Sequence, residues 1–483
     1  MKKLISATPI LKLIMLLIIM VAATGTYAAP LTNSDSTLTA ELRHQLNANT
    51  TTAALCYPAS VKRFYNHTNF QPAWIKPQNG EGQTWQAILL LDCVLQYGLS
   101  HNDYHPKELS DNNLYNILDA PGKLSISAQA RFDIILTDAM ITVINNLHYG
   151  KLNPEFSAIR IDTEIEGGFR AEASLLSALQ LTKGHEFLAA IENVQPKSKE
   201  YHELQYHMKV MTGLRTGDCY DIPESDIRKM AINLERLRWA NMDDSSFIQI
   251  NIPSYSLQFF KGDSVYQFSV AVGKASSPTP TFNSKISYFT TAPDVRMLQS
   301  VFINEILPDM INDSNYLRNN HIAIYNKKNQ FVVVNKNNLA QIAKHPNSYY
   351  ARHASGCSLA QGNLVFHFAN PFELDLHDMP AQGFFNQQDR AISSGCIWVD
   401  NAEKLAGLLL KNDGKEKDLG TLHEAVTNYK RETFMLNKQI PIKVTYLTCT
   451  VKEGALIFFK DIYNLDNSLE MALYNVNQNL VMR

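Results

Sequence analysis

Two hydrophobic periods divide this chain. From Pro30 to about Trp239 apolar residues recur at helical spacing. Between Ser127 and Leu147, residues Phe132, Ile135, Leu136, Ala139, Met140, Val143 and Leu147 share one stripe. That pattern predicts a helix with one face in a core, capped by Ser127, terminated at Gly150 and followed by Pro154. A run carrying Trp85, Ile88, Leu89 and Leu95 predicts a second such face. The last helix, near Ser225 to Trp239, places Ile227, Met230, Leu234 and Leu237 inward and meets Asn241-Met242-Asp243-Asp244, where the domain boundary is drawn. Beyond it the period becomes two. Ile248, Ile250 and Ile252 alternate with Gln249 and Asn251, and Tyr266, Phe268, Val270 and Val272 alternate with Gln267, Ser269 and Ala271; Lys261-Gly262-Asp263 marks a hairpin. A polar, Asn-rich stretch from Phe302 to Arg352 interrupts the strands with mixed helix and loop signals, as an insertion over a cleft would. Strand signals return at Leu364-Val365-Phe366 and from Pro441 to Thr450, and the segment after Asp461 is expected to be a peripheral tail. The fold class is therefore α+β, a helical domain followed by a β-rich one. The expected bounds are residues 29–243 and 244–460, with the insertion at about 300–352 and a tail at 461–483.

Lys2 and Lys3 precede an apolar run, Leu13 to Ala23, which ends in Thr-Gly-Thr-Tyr-Ala-Ala-Pro. Small residues at Thr26 and Ala28 suit a signal peptidase cutting after Ala28, so residues 1–28 read as an export signal and the mature protein as periplasmic. The alternative is an uncleaved inner-membrane anchor, although the run is shorter than the ~20 residues of a spanning helix. With 19% charged residues, a net charge of -2 and no run of Lys or Arg, the chain does not have the composition of a nucleic-acid binder. Its six cysteines, Cys56, Cys93, Cys219, Cys357, Cys396 and Cys449, are too few and too scattered for a disulfide scaffold, and their pairing is open; Cys449 reads as a strand residue.

The chemistry concentrates near the end of the β-rich half, in Arg390-Ala391-Ile392-Ser393-Ser394-Gly395-Cys396-Ile397-Trp398-Val399, with His377 upstream. Acyl transfer through a thiol needs a thiolate, an imidazole to handle its proton, and a backbone that can approach a carbonyl so that amides face the oxyanion. Cys396, His377 and Gly395 supply those parts, and His377 is expected within hydrogen-bond reach of Cys396. Either the Asp378 carboxylate or a backbone carbonyl could orient His377. Other motifs carry less. Val272-Gly273-Lys274-Ala275-Ser276 lacks the upstream glycine of a phosphate loop. His101 with His105, and His202 with His207, lack the further ligands of a zinc motif and read as surface histidines, while His367 reads as a strand residue. No metal site is expected.

The segments Leu376-His377-Asp378-Met379-Pro380, Gly383-Phe384-Phe385, Arg390-Ala391 and Ser393 leading into Gly395-Cys396-Ile397 occur in this order after Leu234-Glu235-Arg236-Leu237-Arg238-Trp239, Asn251-Ile252-Pro253, and Val272-Gly273-Lys274 with Thr279-Pro280. Downstream come Val444-Thr445-Tyr446-Leu447-Thr448 and Asp461-Ile462-Tyr463; upstream, Pro72-Ala73-Trp74, Leu136-Thr137-Asp138-Ala139 and Gly150-Lys151-Leu152-Asn153-Pro154. With this ordered set the chain resembles the L,D-transpeptidases, cysteine enzymes that remodel peptidoglycan, in their large scaffold-bearing Gram-negative form. The resemblance implies that Cys396 attacks a peptide stem, that His377 is the base, that amides near Gly395 and Cys396 bind the oxyanion, and that Ser393, Ser394, Arg390 and Trp398 line the substrate. It implies no metal or organic cofactor, carbapenem-type inhibitors as ligands, and association with other cell-wall enzymes. Glu305-Ile306-Leu307-Pro308 and Asn319-Asn320 resemble the family's substrate-capping insertion. Two positions depart from the pattern: Ser394 stands where the family has His, and Trp398 where it has Arg. Those exchanges leave room for a wall-binding relative without turnover, or for an L,D-carboxypeptidase. The stretch from Leu214 to Ile227 is too short for the family's peptidoglycan-binding module.

Overall fold

The computed structural model describes residues 33–48, 53–75, 82–109, 124–163, 168–181, 184–213, 224–240, 244–292, 295–320, 322–328, 331–353, 364–372, 374–378, 385–393, 395–428 and 430–474. The expected export signal, Asn241-Met242-Asp243, Cys219, Cys357, Met379, Pro380, Gly383, Phe384 and Ser394 lie outside the described residues. Among those residues, no helix is long and apolar enough to cross a membrane.

Nine α-helices are described in the N-terminal half, with Ile126–His148 as the central one. Its cap is Ser125, whose hydroxyl accepts the Ala128 amide at 3.2 Å; Ser127 instead accepts from Gln45. The single apolar stripe expected for this helix is also too narrow, because every residue from Phe132 to Leu147 is buried. Polar residues on the remaining face are tolerated because they take up backbone amides that no helix or strand satisfies. Asp133 accepts the amides of Ala73 and Trp74 and the Tyr65 hydroxyl, and Asp138 accepts the amides of Cys56 and Tyr57. The next expected helix, Gly82–Asp92, turns the other way. Thr84, Ala87, Ile88 and Leu91 are buried, whereas Trp85 and Leu89 are exposed. Both sets have helical spacing, so periodicity alone could not choose between them.

The helix Ser225–Trp239 is buried on nearly all sides and joins the two halves. Asn233 exchanges two hydrogen bonds with Thr448, Arg236 pairs with Asp466 at 2.6 Å, and Glu235 accepts the Leu152 amide. Gly150 lets the chain pass close beneath it: a Cβ there would lie 2.7 Å from the Glu235 carboxylate, and its φ of +88° is one that glycine adopts readily. One shared core results, combining Tyr201, Met230 and Leu234 with Phe247, Leu447 and Tyr474. The segment expected to be a peripheral tail is part of this junction. Its helix Asp466–Tyr474 buries Leu473 and Tyr474 and pairs Glu470 with Arg228.

The β-rich half starts with β1 (Ser246–Asn251), β2 (Ser256–Lys261), β3 (Ser264–Gly273) and β4 (Phe282–Thr291). After an interposed lobe it continues with β9 (Leu364–Phe368), β10 (Leu376–Asp378), β11 (Ala391–Ser393), β12 (Ile397–Val399) and the long β13 (Thr433–Thr445). The sheet order is β11-β3-β12-β10-β9-β4-β13-β1-β2, and β2 also pairs with β3, so the strands close into a barrel with β11 as a branch. Alternation puts Ile248, Ile250, Val270, Val272, Leu376 and Ile397 into one core with the helix Ala402–Asn412. The interposed lobe is more ordered than its mixed signals suggested. β5 (Val295–Arg296), β6 (Ile322–Asn326), β7 (Phe331–Val332) and β8 (Tyr349–His353) make a four-stranded sheet, which with short helices encloses its own core of Phe302, Ile306, Met310 and Ile342. Strands of two to five residues are too short to show a clear alternation. β14 (Cys449–Lys452) and β15 (Ala455–Phe458) form a hairpin beside the junction, so Cys449 is a strand residue.

Candidate active site

β10 and β12 are parallel neighbours, with Leu376 opposite Ile397 and His377 opposite Trp398, and the Ile397 amide donates to the Asp375 carbonyl at 3.1 Å. Cys396 immediately precedes β12. Cys396 thus lies two residues before Trp398, the residue opposite His377 on the neighbouring strand. Leu376 enters the core, so alternation turns His377 to the opposite face, toward Trp398. Among the described residues no hydrogen bond joins the Cys396 sulfur to the His377 ring, contrary to the close contact expected of the pair. Resting sites commonly tighten such contacts only when substrate enters.

His377 is 4% exposed, and its Nδ1 lies 2.9 Å from the Asp378 carbonyl. A carbonyl only accepts, so Nδ1 carries the hydrogen and Nε2 keeps the lone pair. The Asp378 carboxylate faces elsewhere, accepting the Leu364 amide at 2.8 Å. The backbone carbonyl thus orients the imidazole. Burial pushes His377 below the ordinary imidazole value, against the Asp378 hydrogen bond and the nearby Asp375 charge. Burial likewise raises the Cys396 thiol; a hydrogen bond with the Asp375 backbone opposes that shift and the Asp375 charge adds to it. At neutral pH the resting pair is therefore a thiol and a neutral imidazole. Asp375, whose own carboxyl is raised by burial, sits beside both and had no sequence signal pointing to it.

The turn before Cys396 is held by groups expected to line the substrate. Gly395 has φ +109°, a conformation that favours glycine. The Ser393 hydroxyl donates to the Cys396 carbonyl at 2.5 Å and accepts the Gly395 amide at 3.2 Å. Ser393 therefore ties the turn instead of facing a ligand, and the Gly395 amide is engaged in the resting state. Arg390 is committed too. Its guanidinium donates to the carbonyls of Val270, Tyr255 and Gln387 and lies over the Tyr255 ring, clamping the loop to β3. Ser394 lies outside the described residues. Thr279 and Tyr463 emerge as further supports. The Thr279 hydroxyl donates to the Gly395 carbonyl at 2.7 Å and accepts the Gly273 amide at 2.9 Å, while the Tyr463 hydroxyl donates to the Gly273 carbonyl. Gly273 is packed so tightly against residues 277–279 that a Cβ would lie 2.2 Å from the Ser277 carbonyl.

Trp398 is half-buried against Ala271, Phe385 and Ile392, with its ring centroid 6.3 Å from that of His377. It both packs the loop and borders the candidate base. Trp398→Arg is expected to lower stability by about 1–3 kcal/mol, because a guanidinium would replace apolar contacts without a partner. Thermal denaturation checks this, and an unchanged melting temperature would reject the packing role. The other histidines separate cleanly. His367 is a strand residue bonded to Thr290 at 2.9 Å and stacked on Tyr288. His207 meets the Gly454 carbonyl at the surface. His101 and His105 are not surface residues: His101 is buried, and His105 is bonded to buried Asp138.

Residues 59–208 match the scaffold domain family, and residues 245–422 match the L,D-transpeptidase catalytic domain family. A Haemophilus influenzae protein named "Putative L,D-transpeptidase" is 33% identical over 264 residues, which cover 54% of this chain. The chain spans about half the length of that curated relative, 52%.

Proposed function

Since the chain carries an L,D-transpeptidase catalytic domain behind a scaffold domain, we propose that it is an exported enzyme making 3-to-3 cross-links between peptidoglycan peptide stems. The observation that supports this most is the His377 tautomer: the Asp378 carbonyl holds Nδ1–H, so a neutral Nε2 base is presented from the strand beside Cys396. In this reading Nε2 takes the thiol proton as Cys396 attacks the carbonyl of the third, diamino-acid residue of a tetrapeptide stem. The C–N bond to the terminal D-alanine breaks, the proton passes to its amine, and a thioester remains. The side-chain amine of a second stem then attacks the thioester, releasing the thiol. With the Gly395 amide turned to Ser393, the Cys396 amide is the nearer oxyanion donor, and substrate entry would have to free any second one. Thr279, Tyr463 and Ser393 act by positioning the turn. The lobe around β5–β8 would cap the stem, and the scaffold would offer a surface to other cell-wall enzymes.

Intact mass analysis after incubation with tetrapeptide muropeptides tests this. Acyl-enzyme lighter than a full adduct by one D-alanine, together with cross-linked dimers, is the expected result. Tripeptide without dimers would indicate an L,D-carboxypeptidase, and an unmodified protein would indicate a binding relative. A pH series adds a second check. Protonated His377 cannot accept the thiol proton, and burial depresses its pKa. The acid limb of acylation is therefore expected below the ordinary imidazole value of 6.5, and a midpoint at or above 6.5 would contradict the assignment.

A further inference from the structure

The scaffold holds a second cysteine with an imidazole and a carboxylate aligned on it. The Cys56 sulfur, a ring nitrogen of His105 and a carboxylate oxygen of Asp138 all lie within 4.8 Å of one another. The three come from separate segments: Cys56 from the loop before the helix Pro58–His67, His105 from the turn after His101–Asp103, and Asp138 from the central helix. His105 Nε2 lies 2.7 Å from Asp138 Oδ2, and Asp138 is fully buried. Burial alone would depress His105, but its hydrogen bonds to Asp138 and Cys56 outweigh that and push it up to about 10. The imidazolium so favoured is the partner that a thiolate requires. His105 also holds a left-handed backbone, φ +52°, just before Pro106, a strained conformation that the Asp138 contact helps to hold.

From this geometry we infer that Cys56, His105 and Asp138 form a reactive thiol site for thiol–disulfide exchange with a low-molecular-weight disulfide. Cys56 is exposed and unbridged, so such a reagent can reach it. Acyl transfer does not suit the site, because the nearby amides are committed. Those of Cys56 and Tyr57 donate to Asp138, those of Ala59 and Ser60 donate to Asp162, and Pro58 has none. An oxyanion there would have no donor from residues 56–60, whereas disulfide exchange creates none. In the exchange the Cys56 thiolate attacks one sulfur of the disulfide and the S–S bond breaks. A mixed disulfide forms on Cys56, and the departing thiolate takes the proton held by His105. A metal ion fits the same residues less well. The 2.7 Å between His105 Nε2 and Asp138 Oδ2 is a hydrogen-bond separation. Two ligands of one tetrahedral zinc, each at about 2.0–2.1 Å, would stand roughly 3.3 Å apart.

The inference is independent of the role given to Cys396, and its test uses the full chain in a Cys396→Ala background. The protein is incubated with oxidised glutathione in chelator, and adducts are mapped by peptide mass spectrometry, with exposed Cys93 as internal reference. Cys56 should be glutathionylated first, and His105→Gln should slow it at least about tenfold while the Cys93 rate holds, because a neutral amide can neither pair with a thiolate nor give the departing thiolate its proton. Comparable rates at Cys56 and Cys93, or no effect of His105→Gln, would overturn the proposal. So would stoichiometric zinc, retained without chelator and lost in Cys56→Ser, since that result would make the cluster a metal site. His105→Asn, tested alongside with circular dichroism, separates loss of the ring from loss of the fold.

Discussion

A carbapenem in excess is expected to leave one covalent adduct on this protein, at Cys396, and Cys396→Ala is expected to abolish both the adduct and any cross-linking. The four described cysteines differ in what surrounds the sulfur. Cys449 is buried and its thiol is pushed up to about 12 by loss of solvation, so it holds almost no thiolate at neutral pH. Cys93 is exposed, but its amide is bonded back to Leu89 and Leu90, and the amides around Cys56 are bonded to Asp138 and Asp162. An acylating β-lactam generates an oxyanion, which those two sites do not stabilise. Cys396 alone among the described cysteines follows a glycine with φ +109° and adjoins a strand bearing the imidazole of His377. Its replacement by Ala removes only a half-buried sulfur, so the melting temperature should change little. An adduct mapped to another cysteine, or none at saturating drug, would remove Cys396 as nucleophile.

His377→Ala is expected to slow acylation by a factor of about 10²–10⁴, the usual weight of a positioned general base. The resting thiol is raised by burial, so without a proton acceptor it has little thiolate to offer. His367→Ala should act far less. Its ring is engaged with Thr290 and Tyr288, and burial pushes its pKa down without placing it near the thiol. Acylation rates of the two variants against the same carbapenem decide the matter. Equal losses would mean that both histidines act through the fold and that neither is the base.

The family resemblance implied that Ser393 and Arg390 line the substrate, and both lie within six residues of Cys396. In the folded chain their donors are taken by main-chain carbonyls of the same loop, of β3 or of Tyr255 just before β2, because a sharp turn leaves backbone groups that something must satisfy. The groups that hold the Gly395 turn from the other side, Thr279 and Tyr463, belong to motifs visible in the sequence, yet nothing in those motifs ties them to the cysteine. Thr279 and Gly395 are 116 positions apart.

By itself the sequence determined the division into helical and β-rich halves, and it singled out Cys396 and His377 as a candidate pair with a glycine before the cysteine. Each is written in local periodicity or residue chemistry: 3.6 against 2.0 residues per repeat, a soft nucleophile, a side chain without Cβ. Tertiary structure alone decided which of two helical stripes the helix Gly82–Asp92 buries, and that the backbone carbonyl of Asp378, not its carboxylate, orients His377. It alone placed Asp375 beside both Cys396 and His377, and brought Cys56 and His105 to an aspartate in the middle of a buried helix. Those arrangements depend on which buried polar atoms still need partners once the backbone has folded, and that need is set by neighbours far along the chain: 82 positions separate Cys56 from Asp138.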